Sequence, residues 1–378
     1  MAAEQQQQQR PAGKSWVNNL MMSVMRLAGY DLNCCAAAPS SSASASTAAA
    51  AAAAAAAQEV GDPTKIGTAA PSGAESAHPL PADLEGTRAL LEGYSGIPAG
   101  DVARHVYQMR DRLWDVYPDP CVGRFRFASL DFAADAYYQV ALFKLLQAQS
   151  EEKGKRNSGK GGDDGDETRL LDVGCCVGQV LRKLAFDGVE SSRLFGTDIE
   201  PRFLDIGYDL FRDRGTFRGG FVFGDLLGGN KSNDGSNDDD NNDNYNNDDN
   251  DNDDNDSLAA LDGKMTFVHA TSFFHLFTWD EQVHAASRIV RFLDRGRPDV
   301  MIFGRQVGTV APRARSGRAG SDKVYLHDAG SWQALWDEVG ARTGTRWRAA
   351  MEPTEKIQTG AGGVESALRK MSFCVVRG

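Results

Sequence analysis

Two rhythms of apolar residues divide this chain. Between 84 and 149 the spacing is helical: Val102, Val106, Met109 and Leu113 recur at three and four residues and mark one face of a helix over 101–116. A shorter helix is predicted over 84–92, a turn at 93–98 (GYSGIP), an irregular stretch at 117–127 (YPDPCVGRFRF) and a further helix over 137–149.

From 169 onward short apolar runs alternate with helical stretches. Strands are predicted at 169–173, 194–197, 221–224, 265–270 and 300–304, with helices over 178–186, 203–212, from Trp279, and over 332–339; strands at 346–351 and 371–376 close the series. The helix at Trp279 carries its own start signal, because Thr278 followed three residues on by Glu281 forms a capping box. Such alternation predicts an α/β fold, a mainly parallel sheet with helices on both faces, preceded by an N-terminal helical cap.

Three stretches break both rhythms. Residues 1–79 open on glutamines and include ten consecutive alanines, which favour helix but bring little apolar area to bury. Within them, 15–30 is mildly amphipathic and reads either as a docking or targeting helix or as a nascent packing helix. Residues 150–167 are rich in Lys, Gly and Asp, and 230–257 consist almost entirely of Asp and Asn, so neither offsets the entropy of ordering. The expected organisation is a disordered leader (1–79), a helical cap and substrate lid (80–149), a polar linker (150–167) and a nucleotide-binding domain (168–378) carrying a disordered insertion at 230–257.

The formal charge of −11 sits almost wholly on that insertion, whose eleven aspartates and one lysine leave the rest of the chain near neutral. With no basic stripe, a nucleic-acid partner is not expected. No run of about 18 apolar residues suggests a membrane span. The six cysteines, at 34, 35, 121, 175, 176 and 374, form no C-x-x-C pair and no ligand-like group with histidines, so no metal site is expected and a reducing, cytoplasmic setting is the natural reading.

The sharpest local signal is RLLDVGCCVGQVLRKLAF at 169–186. A strand ends at Asp172 and Val173, glycines stand at 174 and 178, and a helix follows at once, so the backbone turns tightly and a ligand can approach unpaired helix-start N–H groups. This suits an adenosyl ligand across the strand ends. A dinucleotide fingerprint would need glycines at 174, 176 and 179, where this chain has Cys176 and Gln179. A hydrolase elbow, G-x-S-x-G, is missing as well. Asp198 ends the second strand, where it reads as a ribose acceptor or as a capping residue before Pro201. Asp225 ends the third, where it reads as an adenine neighbour or a turn residue.

With these motifs in order, the sequence resembles the class I S-adenosylmethionine-dependent methyltransferases, and within them the fungal group acting on meroterpenoid and polyketide intermediates. The resemblance runs through 93–127, 170–188 (LLDVGCCVGQVLRKLAFDG), 194–214 (LFGTDIEPRFLDIGYDLFRDR), 272–293 (SFFHLFTWDEQVHAASRIVRFL) and 304–310 (GRQVGTV). It implies a Rossmann-like sheet binding S-adenosylmethionine. Asp172, Gly174, Cys175 and Gly178 would cradle its methionine portion, Asp198 its ribose, and Asp225 with Leu226 its adenine, with Ala270 to Ser272 alongside. It also implies methyl transfer to an oxygen of a small secondary metabolite, the fungal group being associated with methyl-ester formation on a carboxylic acid.

A carboxylate acceptor needs no base, whereas a phenol, with an unperturbed pKa of roughly 10, benefits from one. His275 is the candidate base, with a structural hydrogen bond as its alternative; His269, inside a strand, reads as buried and satisfied. Arg124 and Arg305 are the candidate forks for a carboxylate. Tyr94 and Phe273 are candidates for the substrate wall. The competing readings are a catalytically silent scaffold and a methyltransferase for another acceptor, such as a protein side chain.

Overall fold

A computed structural model describes residues 80–81, 84–157, 167–228, 257–311, 313–316, 323–357 and 367–378. The expectations for the leader at 1–79, for its amphipathic piece at 15–30 and for nearly all of the Asp/Asn stretch therefore lie outside the described residues.

The N-terminal part contains helix α1 (Glu85–Gly93), α2 (Val102–Val116), a single helical turn at Pro120–Gly123 and α3 (Ala136–Asn157). The apolar face expected for α2 is observed, since Val102, Val106, Met109 and Leu113 are all buried. Helix α3 runs well past the expected end at 149. Its polar C-terminal turns stay helical because they carry partners: Arg193 is buried and paired with Glu152, and Lys153 pairs with Glu190 at 2.9 Å.

The α/β part follows as β1 (Leu170–Val173), α4 (Gln179–Phe186), β2 (Leu194–Asp198), α5 (Arg202–Phe211), β3 (Gly220–Phe223), β4 (Phe267–His269), α6 (Trp279–Phe292) and β5 (Met301–Thr309). After them come a two-stranded hairpin of β6 (Arg313–Ser316) and β7 (Lys323–Leu326), then α7 (Ala329–Thr343), β8 (Trp347–Lys356) and β9 (Leu368–Arg377). The capping box at Thr278 and Glu281 is present, and α7 has a second one between Asp328 and Ser331.

Seven strands form one sheet in the order β3-β2-β1-β4-β5-β9-β8. The first five are parallel to one another; β9 is antiparallel to β5 and to β8. Both faces are covered, and strand alternation distributes side chains between them. Leu194, Leu170, Phe267, Met301 and Val376 stand in one row across five strands and pack with the N-terminal helices, α4 and α5. Leu171, Val268, Ile302 and Val375 point the other way, onto α6 and α7. The expected α/β sheet with helices on both faces is thus observed.

The strand order reverses between β1 and β4. Connections leave that point in opposite directions, which opens a crevice at the carboxyl ends of the two central strands. The loop after β1 and the segment 270–273 after β4 form its two sides.

Candidate active site

The loop after β1 is held from below. Thr197 accepts hydrogen bonds through its backbone carbonyl from the N–H groups of Gly174 (2.9 Å) and Cys175 (3.1 Å), and the carbonyl of Cys175 accepts from Gly178 N–H at 2.7 Å. Three loop residues have positive φ: Gly174 at 67°, Cys176 at 49° and Gly178 at 70°. Only the glycines adopt this freely. Cys176 is kept there by its N–H, which donates to Asp198 Oδ2 at 2.8 Å, while Asp198 Oδ1 accepts from Glu200 N–H at 3.0 Å.

Asp198 stands at the end of β2 and organises the backbone of the loop, and it does not cap α5, whose start at Pro201 has no side-chain cap. Burial pushes its carboxyl above the ordinary value, and the N–H groups of Glu200 and Cys176 pull it back. Cys175 turns into the sheet, its sulfur lying where a side chain on Gly196 would go, and burial raises its thiol well above the ordinary range.

The outer face of the loop is open at Gly174, which is exposed. A Cβ there would come within 3.3 Å of the Phe273 ring, so a side chain would narrow the gap between loop and aromatic wall. Gln179, the first residue of α4, has its Oε1 buried with no hydrogen-bond partner. An open, Cβ-free loop beside an aromatic ring, with an unpaired acceptor behind it and a carboxylate one strand over, fits an adenosyl ligand.

Behind the loop lies an ion pair that the sequence reading missed. Arg182 of α4 and Asp213 are 0% and 2% exposed and meet in a two-pronged bond, Nε to Oδ2 at 2.9 Å and Nη2 to Oδ1 at 3.1 Å. The guanidinium also donates to the Val177 carbonyl at 3.3 Å and is walled by Tyr208, Phe211, Phe217 and Phe221. Tyr94 donates its hydroxyl to Asp213 at 2.9 Å. The residue expected in the substrate wall is thus tied to the support of the loop.

Helix α5 presses on the same loop. Gly207 lets it approach so closely that a Cβ there would sit 2.5 Å from the Val177 carbonyl oxygen. Gly207→Ala is expected to cost about 1–3 kcal/mol through overpacking. A lower denaturant midpoint accompanied by weaker cofactor binding checks this; a stability loss with unchanged binding would separate the helix contact from the loop.

Across the crevice, the segment after β4 runs beside β5. Ala270 N–H donates to Phe303, Arg305 N–H to Thr271 Oγ1 at 3.2 Å, and Ser272 N–H to the Arg305 carbonyl at 2.7 Å. Ser272 is exposed and takes a positive φ of 57°. Below it, His269 and Asp172 are both buried, with Nδ1 2.7 Å from Asp172 Oδ1 and Nε2 2.8 Å from Thr271 Oγ1. His269 ends β4, Thr271 follows two residues on in the segment after it, and Asp172 is the register partner of His269.

Among the other candidates, Arg305 is mostly buried and 3.3 Å from Asp131, which also binds Lys370 at 2.6 Å. Its fork is turned toward the N-terminal part. Arg124 is exposed in the stretch before α3. His275 is half-buried in the single turn Phe274–Leu276. Asp225 is exposed and accepts from Leu227 N–H at 2.8 Å, while Leu226 is buried in the core under α6. The structure thus gathers Asp172, Gly174, Cys175, Gly178, Asp198, Ala270, Ser272 and Phe273 about the crevice, and directs the Tyr94 hydroxyl elsewhere.

A cavity of about 1090 Å³ lies away from this crevice. It is lined by the C-terminal ends of α6 and α7, including Arg288, Arg291 and Arg342, at the amino edge of the sheet.

Comparison with known proteins supplies the relatives. Residues 77–128 match the meroterpenoid methyltransferase N-terminal domain. Over 285 residues the chain is 36% identical to the O-methyltransferase phiE of Fungal sp. (strain ATCC 74256), covering 74% of this chain and 80% of that one. It is 32% identical to the O-methyltransferase atr3 of Stereocaulon alpinum (79% and 75% covered). It is 30% identical to the Asnovolin E/Chermesin D methyltransferase nvfJ of Aspergillus novofumigatus (strain IBT 16806), with 69% and 78% covered.

Proposed function

This chain belongs to the fungal methyltransferase family of those relatives, and on that premise we propose that it transfers a methyl group from S-adenosylmethionine to an oxygen, carboxylate or phenol, of a small secondary metabolite. The observation that carries the reading is the loop from Gly174 to Gly178, bent by two positive-φ glycines and fastened to Asp198 at the strand end. When bound, S-adenosylmethionine supplies an activated methyl group on its sulfonium.

The chain's own part is placement. Gly174 leaves the backbone open to the methionine portion, Asp198 retains lone pairs for the ribose hydroxyls, and Asp225 stands at the next strand end for the adenine. Phe273 forms an apolar wall that keeps water from the reacting centre. Holding acceptor and methyl group in line in such a crevice converts a bimolecular encounter into an oriented one.

Residues 80–149 act as the cap over the acceptor and 168–378 as the cofactor domain in this reading. Among the described residues no helix is long and apolar enough to cross a membrane. Buried free thiols at Cys175 and Cys374 support a place in the reducing cytoplasm.

Mass spectrometry of a fungal extract incubated with the protein and methyl-labelled S-adenosylmethionine tests the proposal. A labelled small molecule is expected. Label transferred to nothing, or only to protein, would overturn it.

A further inference from the structure

Six arginines line the cavity at the amino edge of the sheet, with no lysine and no Asp or Glu among its walls. Arg288 and Arg291 come from the last turns of α6, Arg295 from the turn after it, Arg342 from the end of α7, Arg346 from the turn before β8 and Arg377 from the end of β9. They are scattered between 288 and 377, so no basic run in the sequence announces them. The fold alone assembles the cluster.

Structural needs account for only part of this charge. Arg291 and Arg342 stand in the last turns of their helices, where a cation offsets the macrodipole. Asp262 answers two guanidiniums, Arg288 at 2.5 Å and Arg291 at 2.9 Å, and Glu338 pairs with Arg342 at 2.6 Å. Arg377 donates to backbone carbonyls, those of Arg295 and Arg297 at 2.7 Å and 2.9 Å, which leaves its charge unneutralised. The Asp294 carboxylate on the same turn accepts from Gly296 N–H instead. Arg295 and Arg346 are exposed and have no ion-pair partner among the described residues. The cavity therefore carries a surplus of positive charge.

We propose that this cleft is a second binding site, separate from the methyl-transfer crevice, and that it takes a compact anion carrying two or more phosphate groups. Guanidinium forks match phosphate oxygens two at a time, which a lysine ammonium does not. The arginines converge from five elements on one cavity whose volume is near the upper end of small-molecule sites, roughly 300–1,000 Å³. A ligand with several charges reaches several of them at once; a single small anion does not. The same surplus disfavours S-adenosylmethionine, whose sulfonium is itself positive.

Calorimetric titration of the full chain with tripolyphosphate, in magnesium-free buffer at about 0.15 M salt, tests this. One equivalent is expected to bind, at least about 10-fold more tightly than sulfate. Arg295→Ala and Arg346→Ala are each expected to weaken it about 10-fold while S-adenosylmethionine affinity stays unchanged. Both side chains are exposed and unpaired, so neither substitution threatens the fold. ATP carries the same three phosphates on a nucleoside: tighter binding than tripolyphosphate assigns a nucleotide and equal or weaker binding a free oligophosphate, and either supports the site. No binding, binding no tighter than that of sulfate, or wild-type affinity in both variants overturns the proposal. An Asp-rich synthetic peptide binding as tightly as tripolyphosphate would overturn the phosphate assignment in favour of an acidic protein segment. Binding that appears only in a chain lacking 230–256 would do the same, since the chain's own aspartates would then compete for the cleft.

Discussion

Replacing Asp198 with alanine is expected to weaken S-adenosylmethionine binding by on the order of 10²-fold, because two charge-assisted backbone bonds, each worth about 1.5–3 kcal/mol, disappear together with the proposed ribose contact. The damage begins before any ligand arrives. Cys176 sits at a φ of 49°, unfavourable for a residue with a side chain, and the Asp198 carboxylate holds its N–H there. Without it the loop relaxes toward ordinary backbone angles and Gly174 loses its relation to Phe273. Asp198→Asn should fall between, since one amide oxygen replaces one acceptor but the amide nitrogen opposes the second N–H. Calorimetric titration measures both, and unchanged affinity in the alanine variant would remove Asp198 from the site.

The second large effect is on stability. Arg182→Met is expected to destabilise the fold by about 3–5 kcal/mol, because it strands the buried Asp213 carboxylate without its counter-charge. Replacing both partners, Arg182→Met with Asp213→Leu, should recover most of that loss, since the surrounding wall of Tyr208, Phe211, Phe217 and Phe221 accepts apolar side chains readily. Chemical denaturation compares the three proteins. A single substitution costing less than about 1 kcal/mol would mean the pair is hydrated and of little consequence. The double variant has a second use: if it folds but binds the cofactor poorly, the guanidinium's contact with the Val177 carbonyl matters to the loop apart from stability.

The fold was readable because its signals are local. The alternation of short apolar runs with helical faces identifies every strand of the seven-stranded sheet, and the pair Thr278 and Glu281 marks the start of α6. Lengths were less legible: β5, β8 and β9 run to nine or ten residues, past the apolar stretches, because backbone pairing between neighbouring antiparallel strands continues where side chains turn polar. The β6–β7 hairpin, rich in Arg and Lys, has no apolar alternation to announce it.

At the site, the glycine loop and Asp198 were legible because backbone geometry dictates residue type there. The partners of Arg182 and His269 were not. Asp213 lies 31 residues from Arg182 and 119 from Tyr94, and Asp172 lies 97 residues from His269. Only strand register and helix packing bring them together. Tyr94 shows what position alone leaves out: its hydroxyl bonds the buried Asp213 carboxylate, a contact that no local pattern announces.

A different economy governs the span between β3 and the single turn Ser257–Leu261. Ser257 donates its hydroxyl to the Phe223 carbonyl at 2.5 Å, and Gly224 leaves just enough space for Ser257 and Leu258 to lie against it. The chain departs and returns through the same gate. With the two described ends so close, added length between them costs the sheet only the logarithmic entropy of a longer closure.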